Sequence, residues 1–363
     1  VELIKKGSVK DIYTSNGNLY FNFSNRYSIF DWGEMPDEIP NKGNSLLNFT
    51  KNIFEFLESS KCWKDWTPKS SLLEGNYYLS KEFNRLKSDG LKTHFSNVHS
   101  ENGKDYLGVR RVAVPELELK NNAWDYSPFK EKVTNTLVPL EIIFRFGVPK
   151  GSSLLKRTSD KNYLDLIGLK KAPVVGDKFE MPVIEFSTKL EERDRYISFE
   201  EAKEISGMSC VEFEVLRATT TLLALRLKEY FAECDIELWD GKFEFAFDDF
   251  SPIGHREFML VDSVGPDELR LTKDGVQLSK EVLRQFYLES PWYKNVVKAK
   301  KIAKESNRKD WKVICTDELA SSPSNLADDQ LKLVEDMYLG LEKVLLDSNY
   351  KMDTVLDSLK RLM

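Results

Sequence analysis

The stretch Trp239-Asp240-Gly241-Lys242-Phe243-Glu244-Phe245 sets three charged side chains at alternate positions among large aromatics. In an extended chain, side chains alternate between faces. Asp240, Lys242 and Glu244 therefore share one face, and Trp239, Phe243 and Phe245 the other. The aromatic flanks predict a central strand, and charge beside a core is costly unless paired or bound to a ligand. A following hairpin places Asp262 roughly across from the charged face. Two carboxylates and a lysine so placed could hold Mg²⁺ and a phosphate-bearing substrate, since Mg²⁺ takes hard oxygen ligands and usually shares them with phosphates. The same spacing also describes an exposed amphipathic strand with a surface Lys–Glu pair.

Four further constellations stand out. Arg26, Asp31 and Lys42 lie in a Pro/Gly-rich loop that suits either an anion or an ordinary surface turn. Arg145 ends an apolar run and is followed by Gly151-Ser152, a plausible phosphate or carboxylate clamp; a strand-end salt bridge explains it equally well. Lys189, Glu191 and Asp194 follow the run PVIEFST and read most simply as a solvated charge cluster. His94, between Thr93 and Phe95, reads as a satisfied, partly buried histidine. The lysine-rich run at 294–304 reads as the wet face of a helix.

These residues need elements to position them. GSVKDIYTS and NLYFNFS are β-rich runs joined at Asn16-Gly17, a pair that favours tight hairpins. A turn-rich loop follows, with Ser45 as a candidate cap for a helix carrying Leu47, Ile53, Phe54 and Leu57. Residues 60–80 read as an insertion with a short helix. GLKTHFSNV, YLGVRRVAV and PLEIIFRFGV are predicted strands, and GSSLLKRTSDKNYLDLIG is irregular with a short helix. The clearest long helix is 211–232, with Leu216, Leu223, Leu227 and Phe231 on one stripe. IELWDGKFEFAFDD and REFMLVDSV form a hairpin around SPIG. The last third is helical, ending in a helix with Leu331, Val334, Tyr338, Leu341 and Leu345 as its apolar stripe. The mixture predicts α+β or α/β. No GxGxxG follows a strand and GxxxxGK[ST] is absent, which argues against Rossmann and Walker-type nucleotide sites.

The 363 residues can bury one large or two modest cores. A net charge of −6 argues against a general polyanion binder, so no nucleic-acid partner is expected. The four cysteines form no CxxC pair, and three histidines argue against a His-rich metal site. The start, VELIKKGSVKDIY, resembles neither a signal nor a transit peptide. With no run of about eighteen apolar residues, no membrane span is expected. The expectation is a cytoplasmic protein.

Taken in order, these segments resemble the phosphoribosylaminoimidazole-succinocarboxamide synthase (SAICAR synthetase) family up to about residue 290. GSVKDIY resembles a glycine-rich G-K-x-(K/R)-D-x-Y hairpin that covers ATP. FSNRYSIFD and IPNKG are similar to S-D-R-x-S-x-F-D and I-P-x-K-G, and THF to T-H-F. PLEIIFRFGVPKGSSLLKR is similar to P-x-E-x-x-x-R-N with a following G-S and K-R. PVIEFSTKLEERDRYIS resembles S-T-K with H-D-E-N-I-S, and WDGKFEFAFD the D-x-K-x-E-F-G strand. LVDSVGPDELRL is similar to D-E with a following P-D-x-x-R, and SKEVLRQFY to D-K-Q-x-x-R-D-Y.

The resemblance implies an α+β, SAICAR synthase-like fold of two subdomains, the first similar to a protein-kinase N-lobe, with ATP in a cleft between them. It implies segments 1–115 (ATP-covering), 116–290 (substrate- and metal-binding) and 291–363 (a helical extension packed on the body). The implied reaction joins carboxyaminoimidazole ribonucleotide (CAIR) to L-aspartate with ATP and Mg²⁺, giving SAICAR, ADP and phosphate. It further implies that Asp194, Glu244 and Asp262 hold Mg²⁺. Lys242 bridges the nucleotide substrate and the reacting groups, Asp240 orients it, and Lys189 sits beside the reaction centre. Gly7, Ser8 and Lys10 face ATP phosphates. Arg145, Ser152 and Arg270 bind the ribonucleotide, and Arg26, Asp31 and Lys42 belong to a substrate-side loop. Ser8, Asn25, Phe146, Arg193, Ala246 and Ser263 depart from the family pattern. Two alternatives stay open: a paralogue that activates a related carboxylate for another amine, and a nucleotide-binding regulator without turnover. A homo-oligomer is left open.

Overall fold

Asn16 and Gly17 adopt positive φ, 49° and 82°, the conformation a two-residue hairpin turn requires. In the computed structural model, which describes residues 1–347 and 350–362, that turn joins β2 (Lys10–Ser15) to β3 (Asn18–Phe23), and β1 (Glu2–Lys5) pairs with β2. With β4 (Phe95–Glu101) and β5 (Lys104–Val109) they form a five-stranded sheet of order β1-β2-β3-β5-β4.

The chain divides into two compact units. The first gathers Val1–Phe49, Asn97–Gly108 and Thr272–Met363. It holds this sheet and the helices Glu281–Leu288, Pro291–Glu305, Asp328–Leu346 and Asp353–Leu362. Pro291 opens its helix at a position where no amide bond is lost, and Ser290 caps it by accepting from the Tyr293 amide. The helix Asp328–Leu346 buries Leu333, Val334, Met337, Tyr338, Leu341 and Val344, so its core stripe is rotated from the predicted one, and Leu331 and Leu345 lie at its margin. The units interleave along the chain, whereas the segments 1–115, 116–290 and 291–363 are consecutive. Ser348, Asn349 and Met363 of the last segment lie outside the described residues.

Ser45 is not a cap. The helix spans Lys42–Glu58, and Ser45 is buried inside it. Asn25 reaches its first turn instead, its side-chain oxygen accepting from the Gly43 amide at 3.0 Å.

The second unit, Thr50–Ser96 with Val109–Leu271, contains the small β6–β7 hairpin (Glu118–Lys120, Ala123–Asp125) and most of the main sheet. Its strands are β8 (Thr136–Leu137), β9 (Leu140–Gly147), β10 (Lys178–Thr188), β11 (Tyr196–Ile197), β12 (Glu237–Phe250), β13 (Arg256–Val261) and β14 (Leu269–Lys273), which turns into β15 (Val276–Gln277). The order is β11-β10-β9-β12-β14-β15, with β8 and β13 also on β12. β12 is thus central, as its aromatic flanks predict. The long helix Cys210–Ala232 starts at a capping box of Ser209 and Glu212. It packs on the apolar face of the sheet, where Phe186 and Phe213 lie 5.1 Å apart between ring centres.

Two predicted strands are shorter than expected: β5 stops at Val109 and β4 starts at Phe95. Lys92–His94 instead runs beside β13, with Leu260 N donating to Lys92 O and His94 N to Leu260 O, both at 2.9 Å. The helix Tyr77–Asp89 was hidden by its polar composition. It buries Leu79, Phe83 and Leu86, starts at an Asn76 cap and ends at Gly90.

Candidate active site

The pairing of three strands decides what faces what. Arg145 of β9 pairs with Val183 of β10 and Asp240 of β12; Ile143 pairs with Glu185 and Lys242; Glu141 pairs with Ser187. Because side chains alternate, Leu140, Ile142, Phe144, Ile184, Phe186, Phe243 and Phe245 fill the apolar face. Phe144 and Phe243 stack at 4.7 Å. The opposite face gathers Glu141, Arg145, Glu185, Asp240, Lys242 and Glu244. Gly241 is required here: a Cβ would stand 2.6 Å from Leu269 and 2.7 Å from Phe144.

At one end of this face two lysines meet buried carboxylates. Glu141 Oε1 accepts from Lys242 Nζ at 2.6 Å and from Lys189 Nζ at 3.1 Å, and Lys189 Nζ also donates to Glu244 Oε1 at 2.7 Å. Burial works against every charge here. It lowers the affinity of Lys189 and Lys242 for protons, but Glu244, Glu141 and Asp262 outweigh it at Lys189, and Glu141 with Glu244 at Lys242, so both stay above the ordinary lysine value. Burial would raise Glu141, yet the two lysines pull it below the usual carboxylate range. Glu244 is raised, first by burial and then by the charge of Asp262. Lys189 is thus a held group of this cluster, not a solvated one.

Asp262 follows β13 directly. Its φ of 69° lies in the left-handed region, which aspartate tolerates better than most residues. Glu244 and Asp262 form a pair of hard oxygen donors whose charges oppose each other. That donor set fits Mg²⁺, which commonly takes one or two protein carboxylates and completes its shell with phosphate oxygens and water. Asp194 lies exposed in the loop between β10 and β11, and among the described residues no cluster of three or more His, Cys, Asp or Glu able to hold a metal occurs.

At the other end, Arg145 is buried in a shell of partners. Its Nε donates to Glu185, its NH1 to Asp240 at 3.2 Å, and its NH2 to Ser153 Oγ at 3.1 Å and Tyr196 OH at 3.3 Å. Arg157 also donates to Glu185 and lies 3.5 Å from the centre of the Tyr196 ring. Arg270 stands 3.7 Å from Asp240. Ser152 is buried, and its hydroxyl accepts from the Leu154 amide at 3.4 Å; its neighbour Ser153 is the serine that reaches Arg145. Lys242, Asp240, Lys189, Glu244, Asp262, Arg145 and Arg270 thus gather on or beside one sheet face.

The first unit holds the remaining residues. A Cβ on Gly7 would overlap the Lys10 carbonyl, so only glycine permits this turn. Asp11 accepts from the Gly7 amide at 3.1 Å and from Arg26 at 2.5 Å, and Arg26 also donates to Gly7 O at 3.0 Å. Ser8 is exposed at the same turn, and the Lys10 ammonium stands 4.4 Å over the Phe21 ring. Lys42 is fully buried and donates to Arg26 O at 3.3 Å. Asp31 is not brought to them: it is exposed, at φ 64°, and pairs with Lys300 at 2.7 Å.

The model of the SAICAR synthetase family matches residues 3–300. A protein of Archaeoglobus fulgidus, provisionally named a phosphoribosylaminoimidazole-succinocarboxamide synthase, is 40% identical over 298 residues, which are 80% of this chain and 81% of that one. This chain belongs to the SAICAR synthetase family. The phosphoribosylaminoimidazole-succinocarboxamide synthase of Thermoplasma acidophilum is 30% identical over 308 residues, 83% of this chain and 88% of its own. The SAICAR synthase structure from Saccharomyces cerevisiae, solved with SAICAR, matches the fold with a TM-score of 0.55 at 19% identity, covering 97% of this chain and 96% of that one. The mixed fold and the ligase class expected from the motifs are borne out.

Within a SAICAR synthetase fold, sequence reasoning overlooked Glu141, Glu185, Ser153, Arg157 and Tyr196. Glu141 was legible in principle. It sits inside PLEIIFRF two and four positions from Ile143 and Arg145, so one alternation places it on the charged face. Glu185 carries the same signal inside PVIEFST. Ser153 and Arg157 come from an irregular segment and Tyr196 from a two-residue strand, β11, too short for any periodicity to fix its direction.

Proposed function

We propose that the polar face of β10, β9 and β12 is the catalytic centre of an ATP-dependent ligase that condenses CAIR with L-aspartate to SAICAR, ADP and phosphate in purine biosynthesis. The observation that carries this reading is the pair of half-buried lysines held by the buried Glu141 and Glu244 beside the acidic pair Glu244 and Asp262, in a chain of this family. A carboxylate is a poor acyl donor. In the proposed reaction an oxygen of the CAIR carboxylate attacks the γ-phosphorus of ATP, and ADP leaves. The aspartate amine then attacks the activated carbonyl carbon. The C–O bond to phosphate breaks, and the amine gives up a proton as the amide forms.

The protein's task in such a reaction is positioning and charge neutralisation. Lys242 bridges the carboxylate and the transferring phosphoryl, Asp240 lies on its strand face to orient it, and Lys189 neutralises charge from the side. Mg²⁺ would be held by Glu244 and Asp262 and would supply charge neutralisation at the phosphates; Asp194, in its exposed loop, is not part of that pair. Arg145, Ser152 and Arg270 take the ribonucleotide's anionic groups; the carboxylates around Arg145 make it an oriented group, not a mobile one. Gly7, Ser8 and Lys10 contact ATP phosphates, and the Asp11–Arg26 pair holds that turn. Arg26 and Lys42 belong to the substrate-side loop, with Asp31 turned away to Lys300. Among the described residues no helix is long and apolar enough to cross a membrane.

The test is ADP release with CAIR, ATP and a panel of amines. Turnover with L-aspartate alone supports the reading, and Lys242→Ala is expected to abolish it without loss of fold. Turnover with a different amine alone identifies a paralogue. Nucleotide binding without turnover for any amine overturns the ligase reading.

A further inference from the structure

His94 is buried, and no step above uses it. Its Nε2 lies 3.0 Å from the backbone oxygen of Asp262. A carbonyl can only accept, so Nε2 carries the proton and donates. Phe54 meets the ring edge-on at 5.7 Å and 85°. The His94 amide donates to Leu260 O at 2.9 Å, and its carbonyl accepts from the Arg110 amide at 2.6 Å. The segment Lys92–His94 is therefore fastened along the end of β13, and its imidazole caps the residue where that strand stops.

That residue is Asp262, in the left-handed conformation. An aspartate leaves this conformation readily unless its backbone is held, because the β and right-handed regions lie lower in energy. Val261, the residue before Asp262, lies directly across from Glu244, so rotation of the Asp262 backbone would swing its carboxylate away from Glu244. We infer that His94 is the positioning residue that fixes the Asp262 backbone and so aims its carboxylate beside Glu244 to receive the divalent ion. This rests on the proposed Mg²⁺ role of Glu244 and Asp262. His94 touches neither ion nor substrate; it acts through one peptide oxygen.

The experiment measures Mn²⁺ held by the full chain with a saturating non-hydrolysable ATP analogue, followed by water-proton relaxation, alongside thermal melting. The variants are His94→Leu, His94→Gln and Glu244→Gln. The buried hydrogen bond lost in His94→Leu is expected to weaken Mn²⁺ binding roughly ten-fold. His94→Gln, whose amide nitrogen reaches the Nε2 position, is expected to restore most of it, and Glu244→Gln to abolish it. Should His94→Leu fail to fold, His94→Asn, whose amide stops at the Nδ1 position, replaces it. Wild-type Mn²⁺ affinity in a folded His94→Leu or His94→Asn, with Glu244→Gln defective, overturns the inference and leaves the metal site standing. An equal loss in His94→Gln also overturns it, because the donor would then be irrelevant. No Mn²⁺ relaxation in the wild type overturns both readings together.

Discussion

Glu141→Gln changes one atom at the point where Lys242 and Lys189 are both held. Its Oε1 accepts from Lys242 at 2.6 Å and from Lys189 at 3.1 Å. The amide keeps an acceptor oxygen of the same shape but removes the charge. A hydrogen bond to a charged group contributes ~1.5–3 kcal/mol, against ~0.5–1.5 kcal/mol for a neutral one. Lys189 keeps Glu244, so the main loss falls on Lys242, at roughly 1–2 kcal/mol. If Lys242 acts on the reacting phosphoryl, kcat/KM falls by about five- to thirty-fold, since ~1.4 kcal/mol is a factor of ten. The pH dependence has a definite sign. Burial presses the Lys242 ammonium toward deprotonation and the neighbouring carboxylates hold it above the ordinary value. Removing one of them lowers the lysine's pKa, so the alkaline limb of kcat/KM moves to lower pH. Coupled ADP-release kinetics from pH 6 to 10 read both effects. A variant within two-fold of wild type, with an unmoved alkaline limb, would refute the role given to this cluster.

Glu212→Gln tests the structural ion pair of the second unit. Glu212 accepts from the amide and guanidinium of the fully buried Arg256 and from the Ser209 amide. Burial would raise it, but these bonds hold it down to about 2. Its stabilisation is therefore complete above the unfolded value of 4.5 and is lost as pH falls from there through about 2. The variant is expected to lose ~3 kcal/mol at neutral pH, as buried pairs do when one partner is removed, and to show a shallower acid-unfolding curve by circular dichroism. An unchanged acid profile would contradict the assignment. Gly7→Ala is expected to raise the KM for ATP about ten-fold with kcat nearly unchanged, because only binding of the phosphates is disturbed; steady-state kinetics showing an unchanged KM would remove Gly7 from the nucleotide contacts.

The charged strand could be read in advance because its alternation is strict. Asp240, Lys242 and Glu244 share a face of β12, and the hairpin to β13 does bring Asp262 to Glu244. The other carboxylates stayed hidden because Glu141 and Glu185 sit in nearly unbroken apolar runs, where a single charge looks like noise until strand pairing is known. Register is a long-range property: β9, β10 and β12 are separated by dozens of residues, and nothing local states which positions face each other. Asp31 failed to join Arg26 and Lys42 for the opposite reason. Loop residues have no period, so proximity in sequence says little about where side chains point.

The most direct test of the account follows oxygen. CAIR labelled with ¹⁸O in its carboxylate is turned over with ATP and L-aspartate, and the phosphate released is examined by mass spectrometry or by its ³¹P isotope shift. Activation of the carboxylate by phosphoryl transfer predicts one ¹⁸O atom in each phosphate, and no transfer with Lys242→Ala. Product formed with unlabelled phosphate would contradict it.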